Sequence, residues 1–233
     1  MKSTIITGLA AILLLAISCK KEGALTTDKS SAPALTTDIN EAAQKYTSIR
    51  IHGQQWMTRN LAVKHYRNGD KIPEIKGRHW DTLTTGAWCW YNNDSATGAV
   101  YGRLYNWYAV HDPRGLAPAG WHVPSDAEWD TLSIHLGGDA VAGGKLKETG
   151  TTHWVAPNTD ATNSTGFTGL PGGSRDHYGD GTFQLIGTAG LWWSSTEDDT
   201  GGAWNRVLGY YTGYIFRQDN PKQVGYSVRC LRD

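Results

Sequence analysis

Gly120-Trp-His-Val-Pro-Ser-Asp-Ala-Glu-Trp129 is the stretch from which the fold reads outward. Ser125 followed three positions later by Glu128 forms a capping box, in which each side chain satisfies a backbone N–H that the first helical turn leaves unpaired. Trp129, Leu132 and Leu136 then recur at helical spacing until Gly137-Gly138 stops the run. The spacing predicts a short helix over 126–136. Around it the chain is rich in Gly, Trp, Tyr and Thr, which favours turns and half-buried aromatic positions over long regular elements.

Upstream, Tyr46 to Ile51 alternates apolar and polar residues, His52-Gly53 turns, and Gln55 to Met57 returns, an opening hairpin. Trp88 to Tyr91 reads as a short buried strand ending in the polar loop Asn92-Asn93-Asp94. Tyr101, Leu104, Tyr105 and Tyr108 fall at i, i+3, i+4 and i+7, which predicts a second amphipathic helix. From Gly137 to Phe183 the chain is Gly-, Thr- and Asn-rich, and only Gly144 to Glu148 reads as helical. Leu191 to Ser194 is a strand candidate before the acidic loop Glu197-Asp198-Asp199. Trp204 to Leu208, Tyr214 to Arg217 and Val224 to Leu231 predict a terminal antiparallel meander. The expected architecture is α+β: two short helices packed on a twisted antiparallel sheet, with long Gly/Thr/Asn-rich loops.

The N-terminus carries a separate signal. Lys2, the apolar run Ile5 to Ile17 and the pair Ser18-Cys19 compose a leader too short for the ~20 residues of a bilayer span. A Cys directly after a small residue resembles a bacterial lipoprotein signal, with Cys19 as the lipidated first residue of the mature chain and Ala16 where Leu is usual. Lys20 rather than Asp follows the Cys, so the expected address is the cell envelope by lipid anchor, at the outer membrane, with the leaflet open. Residues 19–45 read as a tether, in which Ala24-Leu-Thr-Thr-Asp28 repeats as Ala34-Leu-Thr-Thr-Asp38. Such a coil would hold the domain at 46–233 roughly 25–30 Å from its anchor point.

Without residues 1–18 the chain carries 21 basic against 22 acidic side chains, and no basic run that would suit nucleic acid. Eleven Trp and eleven Tyr against three Phe bring large area with a polar tip, and most of the Trp are expected in the core. Cys89 and Cys230 stand as two alternatives, a disulfide worth ~4–5 kcal/mol in the chain-entropy model or two separate buried thiols. Neither has a second Cys or a His at metal-ligand spacing.

Catalytic signals are absent from the sequence. Gly143-Gly144-Lys145 is no phosphate loop, because Leu146 occupies the Ser/Thr position. Eight histidines show no His-x-x-x-His pairing, Glu128 is accounted for as a cap, and Glu197 to Asp199 reads as a solvated turn. Asn158, Asp160 and Asn163 supply hard oxygens that could hold Ca²⁺, the one cofactor worth weighing.

Several motifs together resemble the Fibrobacter succinogenes major paralogous domain. They are Gly53 to Met57, Cys89 to Asp94, Tyr101 to Trp107, Gly120 to Trp129, Gly143 to Gly150, Leu170 to Gly173, Trp192 to Glu197 and Gly225 to Cys230, in family order over roughly 46–233. Thr58-Arg59 departs from the small-plus-acidic pair usual there. The resemblance implies an envelope lipoprotein. Pro124 to Trp129 and Gly225 to Arg229 also look like the C-type-lectin fold as used by formylglycine-generating enzymes. The oxidase branch of that fold needs a cysteine pair before its closing segment, and Ala203 to Gln223 has none; neither a Glu-Pro-Asn nor a Trp-Asn-Asp lectin calcium signature is present. In those relatives the ligand surface lies on the terminal meander, which marks Trp204, Asn205, Arg206, Tyr210, Tyr211 and Tyr214 here. The expectation is a non-catalytic, membrane-anchored module for a glycan or protein at the envelope. A packed envelope protein without a specific ligand is the rival reading, and an enzyme of the formylglycine-generating type a third.

Overall fold

A computed structural model describes residues 46–179 and 181–233, so the leader, Cys19 and the whole tether lie outside the described residues. The opening hairpin forms as expected, from β1 (Ser48–Ile51) and β2 (Gln54–Met57). His52 and Gly53 both take positive φ at its turn, the backbone twist that a two-residue hairpin requires. β3 (Trp88–Cys89) pairs antiparallel with β4 (Leu104–Tyr105). β5 (Trp121–His122) precedes the expected helix, which here is α3 (Asp126–His135), after the shorter α1 (Ser95–Tyr101) and α2 (Trp107–Val110). Then come α4 (Asp139–Leu146), the hairpin β6 (Gly172–Arg175) and β7 (Phe183–Ile186), the sheet β8 (Ala189–Glu197), β9 (Gly202–Gly209) and β10 (Ile215–Pro221), and last β11 (Leu231–Arg232).

The α+β class holds: antiparallel pairing dominates, in a four-stranded sheet ordered β1-β2-β11-β5, a three-stranded β10-β9-β8 and two strand pairs. The capping box at Ser125 is complete, and Trp129 and Leu132 are buried with Leu136 just beyond the helix. Asp126 N–H donates to Thr196 Oγ1 at 3.0 Å and Ser195 N–H to Pro124 O at 2.9 Å, so the helix start is docked on β8.

β8 forms a wall buried on both faces. Trp193 and Leu191 pack into one core with Tyr105, Trp107 and Val228; Trp192 points the other way, into a second core with Trp56, Trp129, Trp154 and Phe167. Nine of the eleven Trp are buried, all except Trp90 and Trp204. Their indole N–H groups tie down loop carbonyls: Trp107 to Ser194 O at 3.0 Å, Trp154 to Gly169 O at 3.0 Å, Trp193 to Tyr105 O at 2.9 Å.

Buried cations do the same. Arg175 donates to the carbonyls of Ile75, Gly77 and Gly181 while its guanidinium lies 4.5 Å from the Trp80 ring centroid. Arg229 donates to Asn60 Oδ1 and to Phe167 O. In a loop-rich domain the backbone acceptors cannot all be met by ladders, and these long side chains supply the donors.

The structure departs from the sequence expectations at three places. The stripe Tyr101–Tyr108 is not one helix: Gly102 at φ +80 ends α1 so close to Asn60 that an added Cβ would lie 2.9 Å from the Asn60 Cβ, and Asn106 starts a new turn by accepting the Ala109 N–H. The helix expected over Gly144–Glu148 begins earlier, at Asp139, and ends before Lys147. Val224 to Cys230 is not the outer strand of a meander. It is buried along its whole length and threads between elements, with Tyr226 exchanging hydrogen bonds with Tyr105, Ser227 bonding Leu191 and Trp193, and Val228 accepting from Leu61. A segment buried on all sides has no solvent face to give a meander. The three-stranded sheet is therefore β8-β9-β10.

Candidate binding surface

The β9–β10 turn carries most of the aromatic residues singled out above. β10 is the edge strand of its sheet, and Arg217, Gln218 and Asp219 on it are exposed. Tyr211 is 60% exposed and Tyr214 36%, the two largest exposures of any aromatic side chain on this sheet. Tyr211 meets Tyr210 edge-on at 5.6 Å between ring centroids; Phe216 lies 4.8 Å from Tyr214 and 6.4 Å from Tyr211. Tyr210, half-buried, packs against the second core and roots this group. The four rings form one contiguous apolar face edged by phenol hydroxyls.

A buried ammonium holds the turn from beneath. Lys147 is fully buried, and its Nζ donates to Gly209 O at 3.0 Å, Thr212 O at 2.8 Å and Thr159 O at 2.7 Å. Burial pushes its pKa down to about 8, opposed by the charge of Asp160. Further anchors come from Gly144 N–H to Gly213 O at 2.9 Å and Thr159 N–H to Tyr210 O at 2.8 Å. α4 can approach only because residue 143 is a glycine: a Cβ there would stand 2.4 Å from Tyr214 O. With the turn's carbonyls bound inward, the Tyr211 and Tyr214 side chains stay outside.

Of the six expected contact residues, the structure brings Tyr210, Tyr211 and Tyr214 together and corrects the other three. Asn205 is 0% exposed and bonded to Asn220 Nδ2 at 2.9 Å. Arg206 is 2% exposed and donates to Asp126 Oδ1 at 2.6 Å and Asp130 Oδ1 at 2.5 Å, clamping β9 to the start of α3. Neither can meet a ligand. Trp204 lies on the Arg206 side of the sheet, opposite Phe216, because cross-strand partners share a side and Phe216 pairs with Val207. Its ring is covered at 3.2 Å by the Arg217 guanidinium, which is itself held on Asp126. Phe216 and Lys147 were missed. Strand alternation from Tyr214 signals Phe216; nothing local signals that Lys147 is inside.

Cys89 and Cys230 are free buried thiols in different cores, so of the two alternatives the structure holds separate thiols. Burial raises both, Cys89 to about 12, which keeps them protonated. Asn158, Asp160 and Asn163 all sit at positive φ, where Asn and Asp are the residues best tolerated. Asn158 Nδ2 donates to Glu148 O and Gly150 O, and Asn163 holds Thr168. Among the described residues no group of three or more His, Cys, Asp and Glu side chains is placed to hold a metal.

One constellation has the residue types of an acid–base site. His122 Nδ1 lies 2.8 Å from Asp233 Oδ1 and its Nε2 2.9 Å from Glu128 Oε1, while Glu128 Oε2 accepts from Ser125 N–H and Oγ. Burial works against a charged imidazole here, but the hydrogen bonds to Asp233 and Glu128 outweigh it and raise the His122 pKa above its ordinary 6.5. Both ring nitrogens are occupied, so neither is open to a substrate proton in this arrangement.

A family model described as the Fibrobacter succinogenes major domain matches residues 49–232. No curated protein matches the chain.

Proposed function

Starting from the chain's membership of the Fibrobacter succinogenes major domain family, we propose that it is a non-catalytic binding module whose tyrosine platform receives a glycan or protein at the cell envelope. The observation that carries this reading is the contiguous face of Tyr210, Tyr211, Tyr214 and Phe216, fixed from below by Lys147. Sugars present C–H faces to aromatic rings and hydroxyls to their polar edges, and a platform already rigid loses little entropy on binding. The closed bonding of His122 favours recognition over acid–base chemistry. In the same reading the fold is C-type-lectin-like, Cys19 bears the lipid, residues 19–45 are the spacer, the site is the outer membrane, and neither nucleic acid nor calcium takes part.

Binding to a glycan array and to envelope polysaccharide tests this, comparing the chain with Tyr211→Ala/Tyr214→Ala. Tyr210 is left intact because it roots in the core. A loss of roughly 5- to 150-fold is expected, since each of the two stacked rings contributes ~0.5–1.5 kcal/mol beyond its area. Equal binding by both proteins rejects the platform and leaves the purely architectural reading.

A further inference from the structure

A cavity of about 350 Å³ lies between the β1–β2 turn, the end of α3 and Lys145 on α4, and its lining includes Arg50, His52, His135 and Lys145 but no acidic side chain. That charge pattern is unusual for this chain. Other cations of the chain have their donors taken up, by carboxylates for Arg206, Arg217, Arg114 and Lys222 and by backbone carbonyls for Lys147 and Arg175. Here four basic side chains share one open space. We propose that this cavity binds a single oxyanion group, a sulfate, phosphate or carboxylate.

Donor accounting supports the assignment. Lys145 Nζ spends one N–H on Leu136 O at 2.7 Å and keeps two. That bond also covers a carbonyl at the negative end of α3, which would otherwise repel an anion. His135 Nδ1 lies 2.8 Å from Thr131 O; a carbonyl can only accept, so the Nδ1 proton is committed there, and Nε2 becomes a donor to an anion when the ring takes its second proton. The His52 ring stacks on it, 5.1 Å between centroids and 16° from parallel. Arg50 makes a single long contact, Nη1 to Gly53 O at 3.4 Å, and its other donors are unspent. An oxyanion would take charge-assisted hydrogen bonds from the Arg50 guanidinium and the Lys145 ammonium. Only Ile51 and Leu136 offer apolar lining, too little for a hydrophobic ligand.

The inference does not depend on the tyrosine platform. Histidine ring signals of the purified full chain are followed by NMR during separate titrations with sodium sulfate, sodium phosphate and sodium acetate, ionic strength being held constant with sodium chloride. Saturable displacement of the His52 and His135 signals is expected with at least one anion, His122 serving as the internal control. Acetate as potent as sulfate identifies a carboxylate site; sulfate or phosphate alone identifies a tetrahedral one. Arg50→Gln weakens the response about tenfold through loss of a charge-assisted bond, and Arg50→Glu abolishes it; Arg50 is exposed, so the fold survives either change. Tyr211→Ala leaves it unaltered. No saturation with any of the three anions, or the same affinity in both Arg50 variants, overturns the proposal.

Discussion

Replacing Lys147 with Met tests whether one buried ammonium organises the aromatic turn. The side chain is fully buried and its three bonds all go to backbone carbonyls, those of Thr159, Gly209 and Thr212. An acceptor left without its donor inside a protein costs ~1–3 kcal/mol, so three would cost roughly 3–9 kcal/mol. Removing a buried charge offsets part of this, because its desolvation cost disappears with it. A net loss of about 2–4 kcal/mol follows, a fall of roughly 5–15 °C in melting temperature for a domain of this size. Urea unfolding monitored by tryptophan fluorescence measures the loss, and amide exchange at Tyr210 and Thr159 should quicken because their segments lose a shared tie. The titration gives a second readout. With its folded pKa near 8 and its ordinary value at 10.5, Lys147 gives up its proton on folding in the interval between them, where the unfolded chain still binds it. The unfolded state then holds more protons, so this group's contribution to stability rises with pH across that interval. The gap between the native chain and Lys147→Met should widen accordingly. A loss below about 1 kcal/mol, or a gap that does not change with pH, refutes the reasoning.

Two further substitutions probe the helix start. His122→Gln removes the bridge between Glu128 and Asp233; because the folded pKa of His122 is raised, its contribution is complete below the ordinary value of 6.5 and fades as pH rises through the folded pKa. Melting temperatures of the two proteins should therefore differ most in mild acid and converge in alkali, and a gap that grows with pH would contradict this. Asp126→Asn strips Arg206 of one partner and Arg217 of its anchor, at a cost of about 2–4 kcal/mol, less than a fully orphaned buried pair because Asp130 still holds Arg206. Burial opposes the charge on Asp126, yet Arg217 and Arg206 hold its pKa below 3.8, so the stability it lends is present at neutral pH and disappears as acid brings the pH down through the folded pKa. Chemical unfolding at neutral pH and in acid should show that loss shrinking.

The parts of the fold legible in the sequence are those whose signals are local. Ser125 and Glu128 write their own cap, and His52-Gly53 writes a hairpin turn within two residues. The apolar spacing from Tyr101 to Tyr108 was real, but Gly102 and Asn106 broke it into helix, strand and helix, and strand pairing with Trp88–Cys89 overrode the period. The hairpin β6–β7 was illegible because Gly172-Gly173-Ser174-Arg175 is polar in composition yet wholly buried. Whether a cation lies inside is likewise set by distant groups: Arg229 depends on Asn60, 169 positions away. On the candidate site, tyrosine content pointed to the right turn, while alternation within β9 could not say that both sides of its sheet are covered and that Asn205 and Arg206 would be lost to solvent.

The closing segment Val224 to Leu231 runs through the middle of the molecule and ends against β2, from the opening hairpin. A growing chain therefore lacks its central spar until Val224 to Leu231 have been made. Pairing across so long a sequence separation is slow, since loop closure precedes any reward from contacts. Maturation of this domain in consequence waits on Val224 to Leu231, and truncation before Val224 should leave an open intermediate exposed to proteases and aggregation instead of a slightly shortened native state.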